Sequence, residues 1–377
     1  MSLKEIFKLI FGWRLVLILI AIPAMFFITP RPGFTNLTPT PSVSNIFSIW
    51  ANFDGQRYLE LAQNGYGFER KNISNYAYFP IYPWAIKTFN ILGSYLASGL
   101  LLSHLFLILA IYFLYKLINL DHKSKIAKSA VMLLLVFPVS FFFGSVYTES
   151  LFLLLAVLSF FFARKNNFFL AGIFAALASA TRITGIFLWP ALVYEFWLFH
   201  GRDIKKSLNP GALWLILPPL GLLSFIRFQA SQTGDAFTFI RLQSDFVGGG
   251  GDKLVLIYQV FFRYAKMVLF INHTDPLFFT VLLELLSAIL ILLVLVFSLK
   301  KIRFSYWIFT LFSYLLPTFT GTFVSMPRFT IVLFPIFIYL ALWFDRQHPF
   351  VRIAYYTICS ILTIFAVALF TTGYSVS

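Results

Sequence analysis

The residues best suited to chemistry lie at positions 50–83, a polar and aromatic stretch that directly follows the first apolar run. It contains three of the fourteen acidic residues, which are Asp54, Glu60 and Glu69. A carboxylate held at a membrane boundary can accept the proton of an incoming hydroxyl, which is the task of a general base. Asp54 is placed for this role, with Arg57 and Tyr58 on the same face at helical spacing. Two alternatives stay open: Asp54 caps a helix that begins at Gly55, or it pairs with Arg57.

A further acid, Glu149, lies in the short segment GSVYTES at residues 144–150, together with Tyr147 and Thr148. This segment separates two strongly apolar runs and contains no basic residue. A lone acid in such a place is unfavourable unless it meets a partner from another loop. The alternative is that Thr148 or Glu149 caps the N-terminus of a helix.

Two arginines interrupt apolar sequence, Arg182 in SATRITG and Arg328 in VSMPRFT. A guanidinium group binds phosphate oxygens through two parallel hydrogen bonds, which suits contact with a lipid-linked phosphate. The alternatives are that these side chains snorkel to the interface or pair with Glu149 or Asp54.

The elements that must position these residues are membrane helices. Only 11% of the 377 residues are charged and 60% are hydrophobic, whereas about 25% of the residues of a soluble domain are charged. Eleven continuous apolar runs predict helical spans, near residues 13–29, 95–118, 127–143, 150–163, 168–181, 184–199, 210–228, 277–299, 305–320, 329–344 and 352–372. The first is expected to be an uncleaved helix, because no small-residue cleavage site precedes Pro30. The single cysteine, Cys359, excludes a disulfide framework and cysteine metal sites.

The basic residues predict the orientation of these spans. With a cytoplasmic N-terminus, the three short outer loops contain only Arg182 and Arg328. The cytoplasmic pieces then contain seventeen of the 29 basic residues: Lys4, Lys8, Arg14, Lys116, Lys123, Lys125, Lys128, Arg164, Lys165, Arg202, Lys205, Lys206, Lys300, Lys301, Arg303, Arg346 and Arg352. The net charge of +15 therefore orients helices and contacts anionic lipid, and it does not indicate nucleic acid.

Two outer segments are long, at residues 29–94 and 229–276 of a single integral membrane domain that covers residues 1–377. The first is the predicted catalytic loop, and its residues 82–92 are expected to lie flat at the interface. The second contains four consecutive glycines at residues 248–251, a plausible hinge, and an apolar stretch at residues 254–271 that is expected to be interfacial or re-entrant.

Several of these residues form a pattern. The run W-x3-D-x3-Y-x3-A-x2-GY begins at Trp50 and contains Asp54 and Tyr58, and AYFPIYP follows at residues 77–83. FP at residues 137–138, SVYTESLF at 145–152, R-x-x-G at 182–185, PRF at 327–329 and FP at 334–335 complete it. The pattern resembles the PIG-V-like mannosyltransferases (GPI mannosyltransferase 2 family) of the GT-C superfamily of membrane glycosyltransferases.

The resemblance implies an all-α polytopic membrane protein with a GT-C-type helical bundle and a long first outer loop carrying interfacial helices. It implies that Asp54 is the catalytic base and that the donor is a polyprenyl- or dolichyl-phosphate sugar. It places further residues at motif positions without assigning their roles: Glu69, Tyr147, Glu149, Arg182 and Arg328.

The expected activity is transfer of a hexose, mannose by resemblance, to a glycolipid or glycan hydroxyl with inversion, at the extracytoplasmic or luminal face. Arg182, Arg328 or Arg241 would stabilise the leaving lipid phosphate, and Arg57 and Tyr58 would contact substrate. No metal site or soluble cofactor is predicted, and dependence on a divalent metal stays open. Two alternatives remain: a transporter or flippase of lipid-linked sugars whose path contains His104 and Glu284, and a non-catalytic subunit of a transferase complex.

Overall fold

The computed structural model describes residues 1–32, 34, 43–67, 73–91, 93–246 and 255–376. These residues form helices and turns and contain no β-strand, which confirms the prediction of an all-α protein. The α-helices of the described ranges are α1 Leu3–Phe27, α2 Val43–Ser48, α3 Asp54–Asn64, α4 Ile81–Thr88, α5 Tyr95–Ile118, α6 Ser124–Val136, α7 Glu149–Arg164, α8 Phe168–Ser179, α9 Leu188–Phe199, α10 Ile204–Ser207, α11 Leu217–Thr233, α12 Thr238–Phe246, α13 Ile257–Phe270, α14 Pro276–Ser298, α15 Phe304–Phe319, α16 Met326–Val332, α17 Phe334–Phe344 and α18 Pro349–Thr371.

Within the described residues, five helical segments are long and apolar enough to cross a bilayer, which identifies an integral membrane protein. They are Leu3–Phe27, Tyr95–Ile118, Pro210–Thr233, Pro276–Ser298 and Pro349–Thr371. A sixth arises if α16 and α17, which meet at an angle of 74°, count as one broken span. Every predicted apolar run corresponds to helix, but several of the helices are short, and eleven spans remain a prediction.

The short helix α7 is the centre of the bundle. Thirteen of its 16 residues are buried, and it packs against α5, α8, α9 and α16. A helix that is apolar on all sides is stable only when other helices cover every face. By contrast, α1 buries only five of its 25 residues and lies at the periphery. The site residue Glu149 begins α7 and therefore lies at one end of the buried axis of the protein.

The ion pairs fall into two groups. Three basic residues predicted to be cytoplasmic pair with acids: Arg164 with Asp121, Lys125 with Asp345, and Arg303 with Glu195, which lies inside the predicted span at residues 184–199. The candidate residues of the other side also pair among themselves. The ion pairs show which loops lie near one another. The side of the membrane that each group faces is predicted from the distribution of basic residues alone.

Arg14 departs from the predicted topology. It was expected at the cytoplasmic surface, yet its guanidinium carbon lies 3.9 Å from the ring centroid of Trp50, which lies within the predicted catalytic loop. The reason is that α1 begins at Leu3, ten residues before the predicted span, so that Arg14 falls in mid-helix. A cation–π contact partly compensates for removing the guanidinium from water.

The predicted interfacial segments form short helices. In α4, Tyr82 and Ile86 are buried, whereas Trp84 is 50% exposed. In α13, Val260 and Tyr264 are buried, and its other face exposes several large apolar side chains. Each helix thus has one buried face and an exposed face on which large apolar side chains accompany a basic one, Lys87 in α4 and Lys266 in α13, as expected for a helix lying at a membrane surface. The four-glycine segment at residues 248–251 lies outside the described residues.

The close packing of α8 against α11 can be tested by substituting a glycine at their contact. A Cβ atom at Gly221 would lie 1.9 Å from the carbonyl oxygen of Ala176, so the two backbones touch. We expect Gly221→Ala to destabilise the protein by about 1–3 kcal/mol through overpacking. The matched control is Gly12→Ala on α1, where a Cβ would meet no atom within 4 Å. Thermal unfolding in detergent should show a lower Tm only for Gly221→Ala; an equal Tm for the two variants would contradict the contact.

Candidate active site

Asp54 is the first residue of α3, where its negative charge faces the positive end of the helix dipole. The preceding residue, Phe53, has a left-handed φ of 57°, which turns the chain sharply into the helix. Next to Asp54, Gly55 allows a close approach, because a Cβ there would lie 3.3 Å from the carbonyl oxygen of Val146. The loop that carries Asp54 thereby packs against the segment that leads to Glu149.

Two long-range hydrogen bonds hold these segments together. The amide of Val146 donates to the carbonyl oxygen of Trp50 at 2.9 Å, and the Tyr147 hydroxyl donates to the carbonyl oxygen of Asn52 at 2.7 Å. Tyr147 is fully buried, so its bond is shielded from competition by water. Tyr147 therefore acts in this structure as a support of the loop carrying Asp54.

Arg328 joins the two candidate acids. Its Nη1 donates to Asp54 Oδ2 at 2.8 Å, and its Nε donates to Glu149 Oε1 at 2.8 Å. The guanidinium also packs over the ring of Tyr147, 4.8 Å from its centroid. Arg182 donates to the same Glu149 oxygen at 2.7 Å. Two carboxylates and two guanidinium groups thus form one network with no net charge.

This arrangement contains the ion pairs named as one alternative from the sequence, and contact of the arginines with a lipid phosphate stays a prediction. The acceptors of both arginines are acids from other loops, as in the pairing alternative, and Arg57 pairs with Glu60 at 3.0 Å and not with Asp54. Because burying an unpaired charge is strongly unfavourable, the network explains why all four ionisable groups are tolerated at the edge of an apolar bundle.

Tyr78 completes the surroundings of Asp54. Its hydroxyl donates to Asp54 Oδ1 at 3.2 Å. Burial, and after it the neighbouring Asp54 carboxylate, raise the pKa of the Tyr78 phenol above its usual value, so the phenol remains a donor at neutral and mildly alkaline pH. Tyr78 was not among the predicted site residues, although it lies in the AYFPIYP motif at residues 77–83.

A small aromatic cluster positions Tyr78. The Tyr66 hydroxyl donates to the Tyr78 carbonyl oxygen at 2.6 Å. Gln229 on α11 donates to the Tyr76 carbonyl oxygen and accepts from the Phe239 amide, which ties the first outer loop to α11 and α12. The buried members of this cluster are Leu61, Tyr66, Tyr76, Phe79, Phe225 and Phe239. The two long segments that were predicted to lie on the outer side therefore pack against each other beside the site.

The side chains of Asp54 and Glu149 differ in exposure to solvent, and this difference indicates different roles. The side chain of Asp54 is 31% exposed, whereas that of Glu149 is completely buried. Each carboxylate oxygen can accept more than one hydrogen bond, so Asp54 can still bind a hydroxyl from solution. Glu149 has no such access and serves as the counter-ion of both arginines. Its second oxygen is buried without a hydrogen-bond partner.

Residues 78–224 match the family model described as dolichyl-phosphate-mannose-protein mannosyltransferase. The matched range contains Tyr78, Glu149 and Arg182, whereas Asp54 and Arg328 lie outside it. No curated protein sequence matches the chain.

Two solved structures of the Archaeoglobus fulgidus oligosaccharyltransferase are similar to this chain. The apo form matches with a TM-score of 0.44 and 14% identity over 97% of the chain. The form tethered through a disulfide bond to an acceptor peptide containing the NVT sequon matches with a TM-score of 0.42 and 13% identity over 96% of the chain. The chain spans 56% and 55%, respectively, of those two chains.

Three of the predicted site residues do not join the network. The exposed Arg241 pairs with Asp235. Tyr58 is buried and packs edge-on against Tyr78, with ring centroids 5.3 Å apart, so it supports the site from behind. The pair of Arg57 with Glu60 is partly exposed.

Two further predictions concern Glu69 and a divalent metal. Glu69 lies outside the described residues. Within the ranges described, no group of three or more His, Cys, Asp or Glu side chains could hold a metal ion. Dependence on a divalent metal therefore stays open.

The unequal burial of the two acids predicts unequal effects on stability. Glu149→Gln leaves two guanidinium groups with one carboxylate in a buried place, and we expect it to destabilise the protein by about 3–5 kcal/mol. Asp54→Asn removes a carboxylate that is partly exposed, so water can solvate the Arg328 nitrogen it leaves, and a smaller loss is expected. Tm values in detergent at neutral pH would measure both; a larger loss for Asp54→Asn would contradict the assigned roles.

Proposed function

We propose that this protein is a GT-C-type glycosyltransferase that uses Asp54 as its general base. The observation that carries the proposal is an accessible carboxylate next to an arginine network at one end of a membrane bundle. The proposal also draws on the match of residues 78–224 to a mannosyltransferase family model.

In the proposed reaction, a hydroxyl of the acceptor binds Asp54 and gives it a proton as its oxygen attacks the anomeric carbon of the donor sugar. The new carbon–oxygen bond forms on the face opposite the leaving group, which inverts the anomeric configuration. The bond from the anomeric carbon to the phosphate oxygen breaks, and the lipid phosphate leaves with the electron pair. No oxidant or further reactant is needed.

The position of Arg328 suits the movement of charge in this reaction. Negative charge disappears from Asp54 as it takes the proton, and it appears on the leaving phosphate. Arg328 already contacts Asp54, so it can shift its hydrogen bonds toward the phosphate as that charge develops. Arg182, held by Glu149, supplies a second cation to the same place. A guanidinium group binds phosphate oxygens with two parallel hydrogen bonds.

The finer assignments rest on the resemblance to the PIG-V-like mannosyltransferases. The donor is a polyprenyl- or dolichyl-phosphate mannose, and the acceptor is a hydroxyl of a glycolipid or glycan. The site faces the extracytoplasmic or luminal side, with the N-terminus in the cytoplasm, because basic residues favour the opposite loops. Membrane lipids are the remaining partners, and nucleic acid is not one.

The residues that suggested a transporter have local partners in the structure. Both oxygens of Glu284 accept hydrogen bonds, from Tyr264 and from the amide of Ser325. The Nδ1 atom of His104 lies 2.7 Å from the Leu100 carbonyl oxygen of its own helix. The contacts of Glu284 give it a structural role that requires no transport path, whereas the Nε2 atom of His104 is buried without a hydrogen-bond partner.

Replacing the base tests the proposal. Asp54→Asn keeps the size and the hydrogen-bonding shape of the side chain but removes its ability to take a proton. We expect it to lower kcat by about a hundredfold to ten-thousandfold, while binding of the lipid-phosphate donor changes little. The assay uses the full-length protein, radiolabelled polyprenyl-phosphate mannose and a panel of glycolipid acceptors, with product linkage determined.

The matched control is Glu60→Gln, an acid on the same helix that pairs with Arg57 and does not contact the network. It should retain the turnover of the wild type. Near-normal turnover by Asp54→Asn would show that Asp54 is not the base. Absence of transfer by the wild-type protein with every acceptor, together with movement of the lipid-linked sugar across vesicles, would favour the transporter alternative; absence of both would favour a non-catalytic subunit.

A further inference from the structure

The turn that precedes α16 has an unusual set of hydrogen bonds. Three successive backbone amides, those of Phe323, Val324 and Ser325, each donate to a side-chain oxygen. The acceptors are the Tyr264 hydroxyl at 3.1 Å, Thr322 Oγ1 at 3.2 Å and Glu284 Oε1 at 3.2 Å, respectively. Turns of this length usually satisfy such groups with backbone or water. Here, side chains from two other helices determine where the turn lies.

Ser325 is the residue of this turn that most needs support. It adopts a left-handed conformation, with φ of 62° and ψ of 11°, and it caps the N-terminus of α16. This conformation is unfavourable for a residue other than glycine and persists only when its surroundings enforce it. The bond from its amide to Glu284 is one such constraint.

Glu284 is anchored from its other side as well. It is 3% exposed on α14, and its Oε2 accepts from the Tyr264 hydroxyl at 2.7 Å. Tyr264 on α13 also lies 3.2 Å from the Thr322 hydroxyl, so the phenol has one donated bond and two accepted bonds. Glu284 therefore connects α13, α14 and the start of α16.

We infer that Glu284 is a positioning residue for Arg328, acting through Tyr264 and the turn at residues 321–325; the inference rests on the proposed function. Arg328 is the third residue of α16, and the carbonyl oxygen of Ser325 accepts from the amide of Phe329, directly after Arg328. A displacement of the turn therefore displaces Arg328. A misplacement of about 1 Å in a catalytic constellation lowers activity by about a hundredfold.

The same turn receives a second contact from α13. Arg263 Nη1 donates to the carbonyl oxygen of Gly321 at 2.8 Å, at the opposite end of the turn from Ser325. Gly321 has a φ of 87°, which favours glycine. Helix α13 thus holds the turn at Gly321 through Arg263 and at Phe323 through Tyr264, whereas Glu284 on α14 holds its Ser325 end.

Two substitutions distinguish a need for the hydrogen-bonding oxygens of Glu284 from a need for its charge. Glu284→Ala removes both acceptors and should lower kcat/KM for the lipid-phosphate sugar by about tenfold to a hundredfold. Glu284→Gln keeps an oxygen for the Ser325 amide, and its amide group can donate to Tyr264, which then donates to Thr322. It should retain activity within about threefold of the wild type. Loss of activity in Glu284→Gln equal to that in Glu284→Ala would overturn the inference, because it would indicate a role that needs the proton or the charge of Glu284.

A double-mutant cycle shows whether the effect passes through Arg328. Arg328→Lys keeps the charge but loses the paired hydrogen-bonding geometry, so it should have reduced but measurable activity. In that background, Glu284→Ala should cause less than about a threefold further loss, because the geometry it maintained is already absent. A full and independent loss in both backgrounds would overturn the inference while leaving the proposed function intact.

General destabilisation is controlled by Glu195→Ala. Glu195 is also 3% exposed and pairs with Arg303 and Ser305, on the side of the bundle opposite the site network. It should lower Tm, yet leave kcat/KM per folded molecule unchanged. An equal drop of kcat/KM in Glu195→Ala and Glu284→Ala would indicate a stability effect and overturn the inference. Absence of transfer by the wild-type protein would instead overturn the proposed function, and this inference with it.

Discussion

The interaction on which the site depends is the sharing of Arg328 between Asp54 and Glu149. Each carboxylate would be unfavourable at the edge of an apolar bundle without a cation, and each guanidinium would be unfavourable without an anion. Together with Arg182 the four groups balance two positive and two negative charges. Neutrality lets them be buried, and the unequal exposure of the two acids leaves one of them available to a substrate. The fold provides this balance by bringing four loops to one place.

Much of the helical bundle serves to hold the four ionisable groups of the network together. The buried helix α7 presents Glu149, the tight turn at Phe53 presents Asp54, and the turn at Ser325 presents Arg328. At both turns a residue other than glycine has a left-handed φ, and hydrogen bonds over long sequence distances surround it. Local backbone strain of this kind occurs where surrounding structure over-determines a functional geometry. The two strained turns both lead directly to residues of the network.

Helix type and the identity of the ionisable residues could be predicted from sequence, because apolar runs and charges within them are strong physical signals. Asp54, Glu149, Arg182 and Arg328 each stood out as charges at apolar boundaries. Which of them pair could not be predicted, since pairing depends on contacts between residues as far as 274 positions apart.

Other features lacked a clear sequence signal. Tyr78 is one tyrosine among 18 in an aromatic-rich chain, and its role appears only from its contact with Asp54. Arg14 was expected at the cytoplasmic surface, but the first helix begins at Leu3, ahead of the predicted apolar run, so Arg14 lies in mid-helix. The number of spans does not follow from the sequence for a related reason. A helix that is covered by protein on all sides, such as α7, can be shorter than the thickness of a bilayer.

The order of the network along the chain has a consequence for biosynthesis. Asp54, Glu149 and Arg182 are all made before Arg328, which follows Arg182 by 146 positions. At a synthesis rate of about 5–20 residues per second, the first three groups wait for about 7–30 s with one negative charge in excess. During that interval Glu149 can already pair with Arg182, whereas Asp54 has no cation of the network beside it. The arrival of Arg328 therefore completes the charge balance of the site, and a chain that ends before Arg328 leaves the Asp54 carboxylate without this partner.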